Sequence, residues 1–214
     1  MNYNYHQDEA LETIARKVIS QCDPALLKEP SPIPIEDIME RVYGLTLEYH
    51  YIRKNERILG ETVFADASVP IYDPQKNKYK LIPVKAGTVI IDARLLQKLN
   101  DGRFRFTCAH ELAHWVIDRK YFTRIRETAA LTSETARGMT KPIAISSNTN
   151  ALIERQANRM ASRILMPKCT LKPAYHSTRN KLASLAAVLA HLADLYDVSK
   201  QAMKIRLEEM GLTI

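Results

Sequence analysis

The sequence predicts an α+β fold, and three observations predict it. Apolar residues recur at helical spacing near the start, at Leu11, Ile14, Ala15, Val18 and Ile19. Short β-rich runs parted by turn residues occupy the middle of the chain. From Arg103 onward the strand signals fade and helical patterns take over.

The elements follow in order. The first helix is expected over Asp8–Ser20, with Pro24 past its end. A Pro-rich connector, 30–34, leads to a short helix over Glu36–Val42 that Gly44 stops. Leu45–Tyr51 alternates as a strand does, and Leu59–Ala65 and Thr88–Asp92 are further strands. Polar Asp73–Lys80, opened by Asp-Pro, reads as a turn. Short connections point to a small, mostly antiparallel sheet. Ala93–Leu99 fits a short helix ending near Gly102. Arg103–Asp118 and Ala151–Leu165 are helical in pattern, the second closed by Pro167, and Lys181–Met210 holds two or three short helices. Arg119–Asn150 lacks clear periodicity and reads as a long loop. With Gly138 as a hinge it is either a lid, most of it over Leu131–Ile145, or an idle surface segment.

Length and composition set bounds. A chain of 214 residues with an apolar fraction of 46% suits one mid-sized domain, or one with a small appendage. No run approaches the roughly 20 apolar residues needed to span a bilayer. The stretch Met1–Glu12 is polar and lacks the apolar run of a secretory signal, so a cytoplasmic protein without a membrane partner is expected. Cys22, Cys108 and Cys169 lie far apart, which argues for reduced thiols. Cys108 is two residues from His110, but side chains two apart on a helix diverge, so a buried structural thiol is expected there. The net charge of +7 comes from dispersed Lys and Arg, as on a solvated basic surface.

The residues that carry chemistry are His110-Glu111-Leu112-Ala113-His114. Two histidines four apart stand one turn above each other on one helix face, within reach of a single ion. Glu111 borders the same face and can act on a water without being a ligand. A catalytic zinc site needs a third protein ligand. Glu154, at the edge of the stripe Ile153, Ala157, Met160, Ala161 and Ile164, is either that ligand or an exposed helix glutamate. Asn158, one turn on, is either a partner for a ligand or a packing amide.

HELAHW at 110–115 followed by ERQANRMASRILMP at 154–167 resembles the ImmA/IrrE family of metallo-endopeptidases. The segments 58–64, 87–92 and 102–106 resemble its sheet and the approach to its active helix. Ile164-Leu165 stands where that family usually has two leucines. The resemblance implies a zincin-like α+β fold, with an HExxH helix, a second ligand helix and C-terminal helices. It implies Zn2+ held by His110, His114 and Glu154, with Glu111 as the catalytic residue. The implied activity is endopeptidase cleavage of a helix-turn-helix transcriptional repressor, often encoded beside the enzyme on a mobile element, which relieves repression. Tyr121, His176 and Arg206 are candidates to stabilise the oxyanion.

Two units are expected: a metallopeptidase domain over 1–175, and a C-terminal helical, helix-turn-helix-like extension over 176–214 packed on it. Ser199 is expected to cap the last helix, whose Lys200, Lys204 and Arg206 could meet phosphates while Glu208 and Glu209 would repel them. Docking onto the core or the substrate is therefore expected, not specific DNA binding. The competing readings are a DNA-binding regulator and a toxin–antitoxin partner with a non-catalytic zinc site.

Overall fold

The structure, a computed structural model, describes residues 3–97, 101–125, 147–182 and 184–212. Helix α1, Asp8–Cys22, turns Leu11, Ala15, Val18 and Ile19 into the core, as its spacing predicts. Helix α2, Ile35–Asp37, runs on into a wider π-helical turn, Ile38–Val42, which ends before Gly44 at φ 63°. Strands β1, Thr46–His50, and β2, Gly60–Thr62, flank the fully buried β5, Thr88–Asp92. Strands β3, Ala67–Asp73, and β4, Lys78–Val84, form a separate antiparallel hairpin.

The sheet differs from expectation in two ways. The β1–β5 pairing is parallel, with Thr46 opposite Thr88, while β2 runs antiparallel to β5. A parallel pair needs a long crossover, and residues 51–87 with their hairpin supply it. The hairpin itself is hidden in the sequence around the expected turn. Pro70 and Pro83 lie inside its strands and most of its side chains are exposed, so the alternating apolar pattern is broken.

Helix α3 is Arg94–Gln97, and α4, Asp101–Ala113, continues through a π-helical turn, His114–Asp118. Residues 119–125 are also helical, and α5 begins at Ser147, so the stretch expected as a loop is shorter at both ends. The Gly138 hinge and the lid lie outside the described residues. Helix α5 is Ser147–Leu165, α6 Lys168–Lys181, α7 Leu185–Tyr196 and α8 Lys200–Glu209. Helix α6 was not expected. Its Pro173 and run of polar residues mask the period, yet Thr170, Leu171, Tyr175 and Thr178 are buried. It spans the position expected for the boundary between the two units. No described helix is long and apolar enough to cross a membrane.

Helices α7 and α8 join the same apolar core as α1, α4 and α5, through Val188, Leu192, Tyr196, Met203 and Leu207. Ser184 and Ser199 cap them, each accepting a backbone N–H three residues on. Arg206 points inward, not toward phosphates. It is 1% exposed, its Nη2 lies 2.6 Å from Glu12 Oε1, and its Nε donates to the Met166 carbonyl at 3.1 Å. Arg163 of α5 bridges Asp8 at 2.8 Å and Glu209 at 3.2 Å, so ion pairs made by buried arginines tie α1, α5 and α8 together. Breaking one partner of such a network strands a buried charge. Arg206→Ala should therefore lower stability by about 3 kcal/mol or more. Urea denaturation checks this, and an unchanged midpoint would mean that the network is idle.

Candidate metal centre

Helix α4 presents His110 and His114 one turn apart, and α5 presents Glu154 opposite them. His110 Nε2 lies 3.3 Å from Glu154 Oε2, and His114 Nε2 lies 3.8 Å from Glu154 Oε1. The two Nε2 atoms are 3.0 Å apart. One ligand atom from each residue falls within 4.8 Å of the others, a group that could hold a metal ion.

The partners of the outer ring nitrogens test whether an ion fits. His110 Nδ1 lies 3.0 Å from Asn158 Oδ1, and His114 Nδ1 lies 2.7 Å from Asp118 Oδ2. Facing acceptor oxygens, both Nδ1 atoms carry the hydrogen, which leaves the Nε2 lone pairs turned toward each other and toward a carboxylate. Three lone pairs gathered at one point repel unless a cation sits among them. Tetrahedral zinc with bonds of about 2.0–2.1 Å spaces its ligand atoms by about 3.3 Å. The separations of 3.0, 3.3 and 3.8 Å bracket that value. The donor set fits zinc.

The same cluster attracts positive charge of any kind, and without an ion a proton is what it attracts. The His110 hydrogen bond, helped by the charges of His114 and His110, holds the Glu154 carboxyl below its ordinary value against the opposing effect of burial. Burial alone would lower the His114 pKa. The Asp118 bond and the charges of Glu111, Asp118 and Glu154 outweigh it and raise the imidazole above its usual value. Cys108 is fully buried, burial raises its thiol above the normal range, and it belongs neither to the ligand cluster nor to the cleft lining.

Glu111 is buried beside the three. Thr62 on β2 donates its hydroxyl to Glu111 Oε2 at 2.7 Å. A Cβ on Gly60 would come within 2.4 Å of Glu111 Oε1, so only glycine leaves that carboxylate its place. These groups line a cleft of about 670 Å³ with Phe64, Phe106, Phe122 and Asn150. Phe122, from the helical residues 119–125, stacks on Phe64 at 4.8 Å and walls one end. Strand β2 pairs with β5 on one side and with no other described strand, so its free edge borders the cleft.

The three oxyanion candidates do not line this cleft. Arg206 is buried in the ion network, Tyr121 faces a separate cleft behind α4, and His176 is exposed on α6. Sequence reasoning missed Asp118, Thr62 and Gly60. Asp118 was legible as a carboxylate one turn after His114. The other two approach only through the tertiary fold.

Known proteins are consistent with this geometry. The IrrE N-terminal-like domain, Peptidase_M78, matches residues 94–208, which include both helices of the centre. A solved structure of a Mycobacterium tuberculosis transcriptional regulator is similar in fold, with a TM-score of 0.52 at 14% identity. The likeness covers 97% of this chain and 47% of that one, so the chain spans about half the length of that relative. No curated protein matches the chain. The domain match extends over more than half of the residues and over the HExxH and second-helix motifs alike; the chain belongs to the Peptidase_M78 family, the IrrE N-terminal-like group to which its resemblance to ImmA/IrrE proteins pointed.

Proposed function

We propose that the chain is a cytoplasmic zinc-dependent endopeptidase whose substrate is a helix-turn-helix transcriptional repressor, cleaved to relieve repression. The observation that carries the reading is the convergence of His110, His114 and Glu154 beside a buried, oriented Glu111. Among the described residues the set has three protein ligands, and an open three-ligand set supports catalysis, since a purely structural zinc site is closed by four. Bound zinc supplies a Lewis acid that polarises a carbonyl and makes water nucleophilic at neutral pH.

The chain's own residues do the rest. An extended substrate segment adds to the free edge of β2, where main-chain hydrogen bonds align it along the cleft. Glu111 accepts the proton of the attacking water and returns it to the leaving nitrogen. Thr62 holds that carboxylate from one side while Gly60 leaves it room on the other. Asn158 and Asp118 orient the two imidazoles. Phe64, Phe106 and Phe122 give the peptide apolar surface to pack against.

Protein purified without added metal should carry about one zinc per chain, and His110→Ala less than about a tenth of that. Metal analysis decides this; full zinc in the His110→Ala, His114→Ala double variant would refute the ligand set. Glu111→Gln should keep zinc yet cut, about 10²–10⁴-fold more slowly, a helix-turn-helix repressor that the wild-type chain cleaves. Gly60→Ala should behave likewise, because its methyl displaces the same carboxylate; wild-type cleavage by Glu111→Gln would remove Glu111 as the base. Specific DNA binding is not expected, since Arg206 is buried and Lys204 pairs with Glu208 at 3.9 Å. A gel shift at physiological salt should show weak, sequence-independent binding, and nanomolar selective binding would favour a regulator instead.

A further inference from the structure

The residues that precede α1 lie against both ligand-bearing helices. Tyr3 donates its hydroxyl to Asp118 Oδ1 at 2.5 Å. Gln156, fully buried on α5, donates Nε2 to the Tyr3 oxygen at 2.5 Å and accepts the His6 backbone N–H at 2.6 Å. Tyr5 accepts from Arg159 at 2.7 Å, and the Tyr3 ring meets Tyr121 edge-on at 5.2 Å. A continuous path thus runs from His114 through Asp118, Tyr3 and Gln156 to α5, two residues from Glu154.

We propose that Tyr3 is a positioning residue for the metal centre: by clamping Asp118, the carboxylate that orients His114, its hydroxyl sets the affinity for zinc. The proposal rests on the zinc-peptidase reading above. Asp118 is 0% exposed and spends Oδ2 on His114. A carboxylate bonded at one oxygen can swing about that bond, while a second bond at Oδ1 fixes its plane. Burial and the adjacent Asp118 hold the Tyr3 phenol well above its ordinary pKa, so the hydroxyl remains a donor. Without that hydroxyl, Asp118 Oδ1 would be buried without its partner, and the ring of His114 would lose the support that keeps Nε2 aimed at Glu154.

The test uses the full chain, stripped of metal and titrated with zinc against a competing chelator. Partners outside the ligand set typically contribute 10- to 100-fold in metal affinity, and Tyr3→Phe should weaken zinc binding by about tenfold. Tyr5→Phe, which loses only the bond to Arg159, should bind as the wild type does. Gln156→Leu, which releases Tyr3 from the other side, should weaken binding in the same direction. In an Asp118→Ala background, Tyr3→Phe should add nothing, because its effect passes through Asp118. A purely structural tyrosine would instead lower the Tm of the metal-free protein and leave zinc affinity unchanged. Wild-type affinity in Tyr3→Phe, or a loss that persists in the Asp118→Ala background, would overturn the clamp and leave the peptidase reading standing. Failure of the wild-type chain to bind zinc would overturn both.

Discussion

His110 and His114 stand on α4 and Glu154 on α5, so the metal centre exists only while those two helices hold their packing. Both carry fully buried alanines beside their ligands, Ala109 and Ala113 on one and Ala157 and Ala161 on the other. Small side chains at those positions put little bulk between the helix backbones. The larger core residues Leu112, Met160 and Ile164 fill the space around them. A shift of one ångström between the helices would spread the histidine and Glu154 atoms, now 3.3 and 3.8 Å apart, beyond what one ion can bridge.

The rest of the molecule braces that pair from three sides. Helix α1 packs along α5 and contributes Asp8 and Glu12 to the arginines that also engage α8. Losing a partner would leave a buried arginine charge uncompensated, which is how these pairs hold the three helices together. The sheet braces the third side. Its edge strand β2 supplies the hydroxyl and the empty space that hold Glu111. The ligands are therefore set by helix packing, and the adjacent carboxylate by the sheet.

The two imidazoles are oriented by different means. An amide on α5 faces His110, so that ring depends on the helix–helix contact. A carboxylate on α4 itself faces His114, across the wider π-helical turn that follows the second histidine. The ring bonded to the charged partner is also the more buried of the two.

Read alone, the sequence determined whatever depends on local spacing. The period of Leu11 to Ile19 places α1, the four-residue interval sets His110 and His114 on one face, and Ser199 caps α8. Strand β5, uniformly apolar but for its ends, is legible to the residue, because a fully buried strand leaves a continuous run. Glu154 was readable only as one of two possibilities, since a ligand and a solvated glutamate look alike on a helix. The tertiary structure decided what depends on distant segments meeting. It made β1 parallel to β5 across a long crossover, revealed a hairpin broken by prolines, and buried Arg206 against Glu12. It also brought Thr62, Gly60 and Tyr3 around the centre. A hydroxyl on an edge strand or a tyrosine ahead of the first helix carries no periodic signature, because its role comes from a partner more than forty residues away in the chain.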